Sequence, residues 1–200
     1  MSFFTHPSAW SGFHCELGIE FCTQNEKALE TLMLHLWSFP ELQGIYLEKD
    51  REPAEQQRFS LDQLLEKESI LHLLLRGTVT LPDGNQVACS TSILREEAGS
   101  DWLFFSISTG SLEQVYPVVS SADGEDHQLN PWLRPLEDWL AELGMRLYRH
   151  QPYDLGIVGL NQMGMLNAED ILRDGIPEQR YWVLLWPDAE GLQYYPSNMG

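Results

Sequence analysis

Positive charge is scarce in this chain. Its 200 residues hold 12 Lys and Arg against 30 Asp and Glu, a formal net charge of −18. Neutralising nucleic-acid phosphates takes a basic surface, so direct nucleic-acid binding is excluded as an expected function. An anionic membrane surface is disfavoured for the same reason. The excess acid is not a tail. The first hundred residues carry 7 basic and 15 acidic side chains and the second hundred 5 and 15, so the carboxylates decorate a folded surface.

Cysteine is scarce too. Cys15, Cys22 and Cys89 are odd in number and lack C-x-x-C spacing, which argues against a disulfide framework and a zinc site. Each lies in an apolar stretch, so buried, reduced thiols and a reducing compartment are expected. The opening "MSFFTHPSAW" has no basic segment followed by an apolar run, and no apolar run reaches roughly 18 residues. The expectation is a cytoplasmic chain without a secretory signal or a membrane span. The six histidines form no H-x-H, H-E-x-x-H or H-x-x-x-H pair, and no Ser sits in G-x-S-x-G, so no metal and no cofactor is expected.

What is present is core material. Hydrophobic residues make up 43% of the chain, enough for a buried core rather than a disordered polymer. The apolar stretch 14–22 predicts a strand. Thr23 and Glu26 stand at capping-box spacing before a helix whose face is Ala28, Leu29, Leu32, Met33 and Leu36. A strand at 42–49 follows, so the chain opens β-α-β. Ser60 and Gln63 predict a second capping box. Over 70–81, Leu71, Leu73, Leu75, Val79 and Leu81 alternate as on a strand. The turn "PDGN" and strands at 86–94 and 102–108 complete a meander. Asn130 and Pro131 predict the start of a helix that places Trp132, Leu136, Trp139, Leu140, Leu143 and Leu147 on one face. A strand at 153–160, a short helix at 167–174 and a hairpin from "RYWVLLW" to "LQYYP" end the series. The expected class is α+β: a mixed, largely antiparallel sheet packed against two main helices. One domain over residues 1–200 is expected, with 110–130 as the seam if it divides.

Four candidate sites follow. Gly159 and Gly164 have the spacing of a phosphate-cradling loop between a strand and a helix, but Met165 and Leu166 stand where Lys and a hydroxyl belong. Glu169 and Asp170 already occupy the positive end of the helix that follows, so a turn is expected rather than a nucleotide site. His150 and Asp154 could pair for proton transfer in a hydrolase-like enzyme, yet no nucleophile accompanies them. The stretch "DGEDH" lacks the alternating oxygens of a calcium loop. Its Asp123, Glu125 and Asp126 are instead candidates for protein contact. Tyr194 and Tyr195, in the aromatic hairpin, are candidate anchors.

Taken together, these readings favour a non-enzymatic acidic binding protein of the bacterial immunity or antitoxin type, which neutralises a basic, toxin-like protein partner. A small enzyme using His150 and Asp154 is the alternative. A nucleic-acid mimic that presents carboxylates to a DNA-binding protein is the second alternative.

Overall fold

The strand expected at 14–22 runs from His14 to Phe21 (β1) and becomes the centre of the molecule. The computed structural model describes residues 2–97, 99–119, 127–161 and 165–199. After β1 come a helix Glu26–Leu36 (α1), a strand Leu42–Tyr46 (β2), a short helix Leu61–Leu65 (α2), and the meander Leu75–Thr80 (β3), Gln86–Arg95 (β4) and Asp101–Ser108 (β5). A single turn Thr109–Leu112 (α3), the long helix Leu133–Tyr148 (α4), the strand Leu155–Leu160 (β6), the helix Ala168–Asp174 (α5) and the hairpin Val183–Asp188 (β7) and Gly191–Tyr195 (β8) complete the order. All eight strands join one sheet, β2-β3-β4-β5-β1-β6-β7-β8. The α+β class and the C-terminal hairpin are as expected. The β-α-β opening, however, makes no parallel pair: β1 and β2 are separated in the sheet by β3, β4 and β5, and each bonds only antiparallel neighbours.

β1 is amphipathic by alternation. Cys15, Leu17, Ile19 and Phe21 enter the main core with the inner faces of α1 and α4. Each fully buried Leu or Ile there contributes roughly 1.5–3 kcal/mol. Glu16, Gly18 and Glu20 point to the other face, where α5 packs Ala168 and Ile171 against Trp102, Phe104, Leu155, Ile157 and Leu184. A strand with neighbours on both sides and cover on both faces buries its carboxylates, and Glu16 and Glu20 are 5% and 3% exposed. Ser106 donates to Glu16 at 3.1 Å.

Local signals explain most element ends. The Ser60–Gln63 capping box forms as expected, and Asn167 and Asp170 build another at the start of α5. Gly84 takes the left-handed conformation that the "PDGN" turn needs (φ 87°). Four expectations are corrected. Asn25, not Thr23, caps α1, accepting from the Ala28 N–H at 3.0 Å. Residues 70–72 form a turn of 3-10 helix rather than strand. There the Ser69 hydroxyl accepts from the Leu71 N–H, and Ile70 and Leu73 are buried at a three-residue interval, so the leucine run follows a helical turn before β3 begins. Asn130 does not cap α4. Its side chain accepts from the Val119 N–H and donates to the Val119 carbonyl, each at 2.9 Å, and α4 starts after Trp132 without a side-chain cap. Cys15 and Cys89 are buried as expected, but Cys22 lies just past the end of β1 and is exposed.

One end of the sheet is closed by its own chain. Phe59 and Ile45 exchange backbone hydrogen bonds at 2.9 and 3.3 Å, and Arg58 Nε donates to the Gly44 carbonyl at 2.5 Å. Behind this edge, the Trp37 ring lies so close to Gly77 that a Cβ there would stand 2.5 Å from both the ring and the Gln43 carbonyl. Only glycine lets β2 and β3 pass beneath the indole.

Candidate functional site

α4 carries two chemically different faces. Leu133, Leu136, Leu140, Leu143 and Leu147 hold it on the sheet. On its flank, Asp138, Glu142, Met145, Arg146 and Arg149 combine with Tyr194 of β8 to line a groove of about 450 Å³. Tyr194 is 37% exposed, and its hydroxyl donates to Asp138. Burial, then the Asp138 carboxylate, pushes the phenol up to about 12, so it stays a hydrogen-bond donor at neutral pH. Arg146 is committed to Glu41 at 2.7 Å and stacks on Phe39 at 3.9 Å, while Asp138 and Glu142 face solvent.

Beneath the groove, a buried polar network fixes the tail that follows β8. Glu137 is fully buried and accepts from Ser197 Oγ at 3.2 Å, with His127 Nε2 at 3.0 Å. Arg134 donates to the Ser197 carbonyl at 2.7 Å and reaches Asp138 at 3.3 Å. Burial pushes the Glu137 carboxyl up, against the pull of His127 and Ser197. The carboxylate stands between the imidazole and the hydroxyl, so His127 has no contact through which to activate Ser197. The order of groups is that of a clamp, not of a nucleophile and its base.

A second cleft opens at the far end of β1. Glu20, Cys22, Glu96, Ser100, Asn167 and Glu169 line about 60 Å³, room for a water or two and far below a substrate pocket. Glu20 accepts from the Ala168 N–H at 2.7 Å. Burial pushes its carboxyl up to about 7, and the Glu96, Asp154 and Glu169 charges add to the rise. Desolvation and the Asp154 carboxylate push the Cys22 thiol up to about 12, so it is exposed and yet a poor nucleophile. Alkylation of Cys22 by iodoacetamide near pH 8 is expected to run at least about tenfold slower than that of a small-molecule thiol. Timed mass spectrometry of the intact chain checks this, and an ordinary rate would show that the thiolate is not suppressed.

No protein family, curated protein or solved structure matches this chain. Its sites are therefore read from their own geometry.

The residues singled out in the sequence lie in separate places. His150 stacks on His35 with ring centroids 3.9 Å apart, whereas Asp154 accepts from the Cys22 N–H at 2.8 Å. Each has its own partner, and no hydrogen bond joins them among the described residues. Gly159 is inside β6 opposite Glu16, and Gly164 lies outside the described residues. The first amides of α5 are already taken: the Ala168 N–H by Glu20, and the Asp170 N–H by Asn167. Of the first three amides this leaves the Glu169 N–H, and the Glu169 and Asp170 carboxylates disfavour a phosphate beside it. Asp123, Glu125 and Asp126 also lie outside the described residues. Tyr194 lines the groove, while Tyr195 turns to the opposite face, half-buried, with Arg180 over its ring at 6.0 Å. Asp138 and Glu142 were not singled out. Their signal was present, since they fall off the apolar stripe of the clearest amphipathic helix, but only the placement of β8 beside α4 makes them a site.

Among the described residues, no helix is long and apolar enough to cross a membrane, and no group of three or more His, Cys, Asp or Glu side chains could hold a metal ion.

Proposed function

We propose that this chain is a non-enzymatic, acidic binding protein that neutralises a basic protein partner, an inhibitor of the immunity or antitoxin type. The observation that carries this reading is the α4–β8 groove: a half-exposed Tyr194 flanked by the exposed carboxylates of Asp138 and Glu142. An aromatic anchor in a charged rim is the anatomy of a binding hot spot. The charge balance supports it. Arg95, Arg146 and Arg173 pair with the chain's own carboxylates, and three backbone carbonyls hold Arg180, so these cations are already engaged. The field outside is acidic, and it speeds encounter with a basic surface.

The partner is sought among basic proteins encoded beside this chain's own gene. Titration calorimetry near 50 mM salt is expected to show binding that weakens steeply as salt rises. The double charge reversal Asp138→Lys, Glu142→Lys is expected to weaken it at least about tenfold, while the same reversal at Glu66 and Glu68, exposed after α2, changes it less than about twofold. If both reversals weaken binding equally, the groove is not the contact. If no basic neighbour binds at low salt, the reading fails.

A further inference from the structure

The two edges of the sheet are treated differently. At the β2 edge, Phe59 and Arg58 occupy the outward backbone groups of Ile45 and Gly44. At the other edge, β8 follows β7 through the two-residue turn Ala189–Glu190, which makes Asp188 and Gly191 a bonded pair, and the ladder alternates from there. Pro187, which has no N–H, stands opposite Leu192, as a non-bonded position requires. The N–H and C=O groups of Leu192 and Tyr194 therefore point out of the sheet. Nothing among the described residues hydrogen-bonds them. β8 also carries no Lys, no Pro and no register shift, the usual devices that protect an edge.

The groove adjoins this edge at Tyr194. Asp138 and Glu142 flank Tyr194, and Arg149 stands a turn or more further along α4. A chain laid against β8 at Tyr194 would meet this groove.

We propose that β8 is the docking edge for an extended segment of the partner protein, which joins the sheet as a further strand and sets Lys or Arg side chains against Asp138 and Glu142. This rests on the reading of the chain as an acidic binder and adds the mode of recognition. Main-chain hydrogen bonds to Leu192 and Tyr194 supply affinity, and alternate side chains over the groove supply specificity. The matching segment is basic against Asp138 and Glu142 and neutral or acidic where it reaches Arg149. A second copy of this chain is the wrong occupant on charge: each copy carries −18 and would bring its own Asp138 and Glu142 to the seam.

The test uses the full chain labelled with nitrogen-15 and a synthetic peptide of about eight residues that alternates Lys and Thr. Near 50 mM salt, the peptide is expected to shift the Leu192 and Tyr194 amide signals and slow their hydrogen exchange. The same peptide methylated on alternate backbone nitrogens keeps its charge but cannot pair, and is expected to bind at least about tenfold more weakly. Leu192→Pro deletes an outward N–H without removing a ladder bond and is expected to abolish the shifts. If that variant does not fold, the methylated peptide still decides. Equal binding of the two peptides, with Leu192 and Tyr194 unmoved, overturns the edge mode while leaving the acidic-binder reading intact. A dimer in sedimentation with those two amides protected overturns it in favour of a second copy. Failure of both peptides together with every basic neighbouring protein would end the broader reading.

Discussion

Replacing Asp101 by asparagine is expected to lower the unfolding free energy by about 3 kcal/mol at neutral pH. The Asp101 carboxylate is fully buried and grips Arg95 through both oxygens, Nε at 2.7 Å and Nη2 at 2.9 Å. One of those oxygens also accepts the Asn25 N–H at 2.8 Å, where α1 begins. A carboxamide in its place would offer one acceptor and turn an NH₂ toward the guanidinium. Arg95 would then keep one bond to residue 101 and its bond to Glu26, at 3.0 Å, and its other donor would face an NH₂. Burial by itself would raise the Asp101 carboxyl, but Arg95 and the Asn25 amide hold it below its ordinary range. A lowered carboxyl contributes stability that is complete above the unfolded value and lost as pH falls through the folded one. Urea unfolding of both proteins is therefore expected to show the full deficit at neutral pH, shrinking once the medium is acidic enough to protonate the wild-type group. A deficit that stayed constant into strong acid would mean that the clamp acts through shape rather than charge.

Glu20 is expected to behave in the opposite sense. Its carboxyl is raised from near 4.5 to about 7, first by burial and then by the Glu96, Asp154 and Glu169 charges, against the lowering effect of the Ala168 N–H. The folded state therefore holds a proton that the unfolded chain releases earlier. Stability from this group is complete below the unfolded value and is lost as pH rises through about 7. Glu20→Gln imitates the protonated form and keeps an oxygen for the Ala168 N–H. It is expected to match the wild type near pH 4.5 and to exceed it above pH 7 by about 2 kcal/mol, a figure reduced for the solvent that reaches the cleft. Urea midpoints at the two pH values decide it. Parallel pH profiles for wild type and variant would assign the pH response to other carboxylates.

What the sequence revealed depended on how local each feature is. The α4 stripe, the Ser60–Gln63 box and the "PDGN" turn are settled by residues a few positions apart, and they stand as read. The leucine run at 70–75 misled because apolar residues at nearly every position fit both a helical turn and a strand. Alternation alone would place Glu16 and Glu20 on a wet face of β1. They are buried because β1 sits between β5 and β6, a matter of topology that alternation does not contain. Arg95 and Asp101 were within reach of sequence reasoning, since they flank the β4–β5 turn and face each other in register. The groove was not, because it needs α4 and β8 side by side. Only Tyr194 could be singled out from composition, as an aromatic residue in a hairpin.

The central position of β1 also bears on how the chain is made. Cys15 lies opposite Ile107 on one side and Leu160 on the other. β1 therefore waits until the ribosome has delivered the residues through Leu160 before both its edges are paired. Contacts this distant in sequence slow folding, and the nascent chain meanwhile carries an apolar strand with open sides. Glu16 and Glu20 place acidic side chains on the strand's second face in that interval, a pattern that disfavours association of an unpaired strand, until α5 arrives and covers that face.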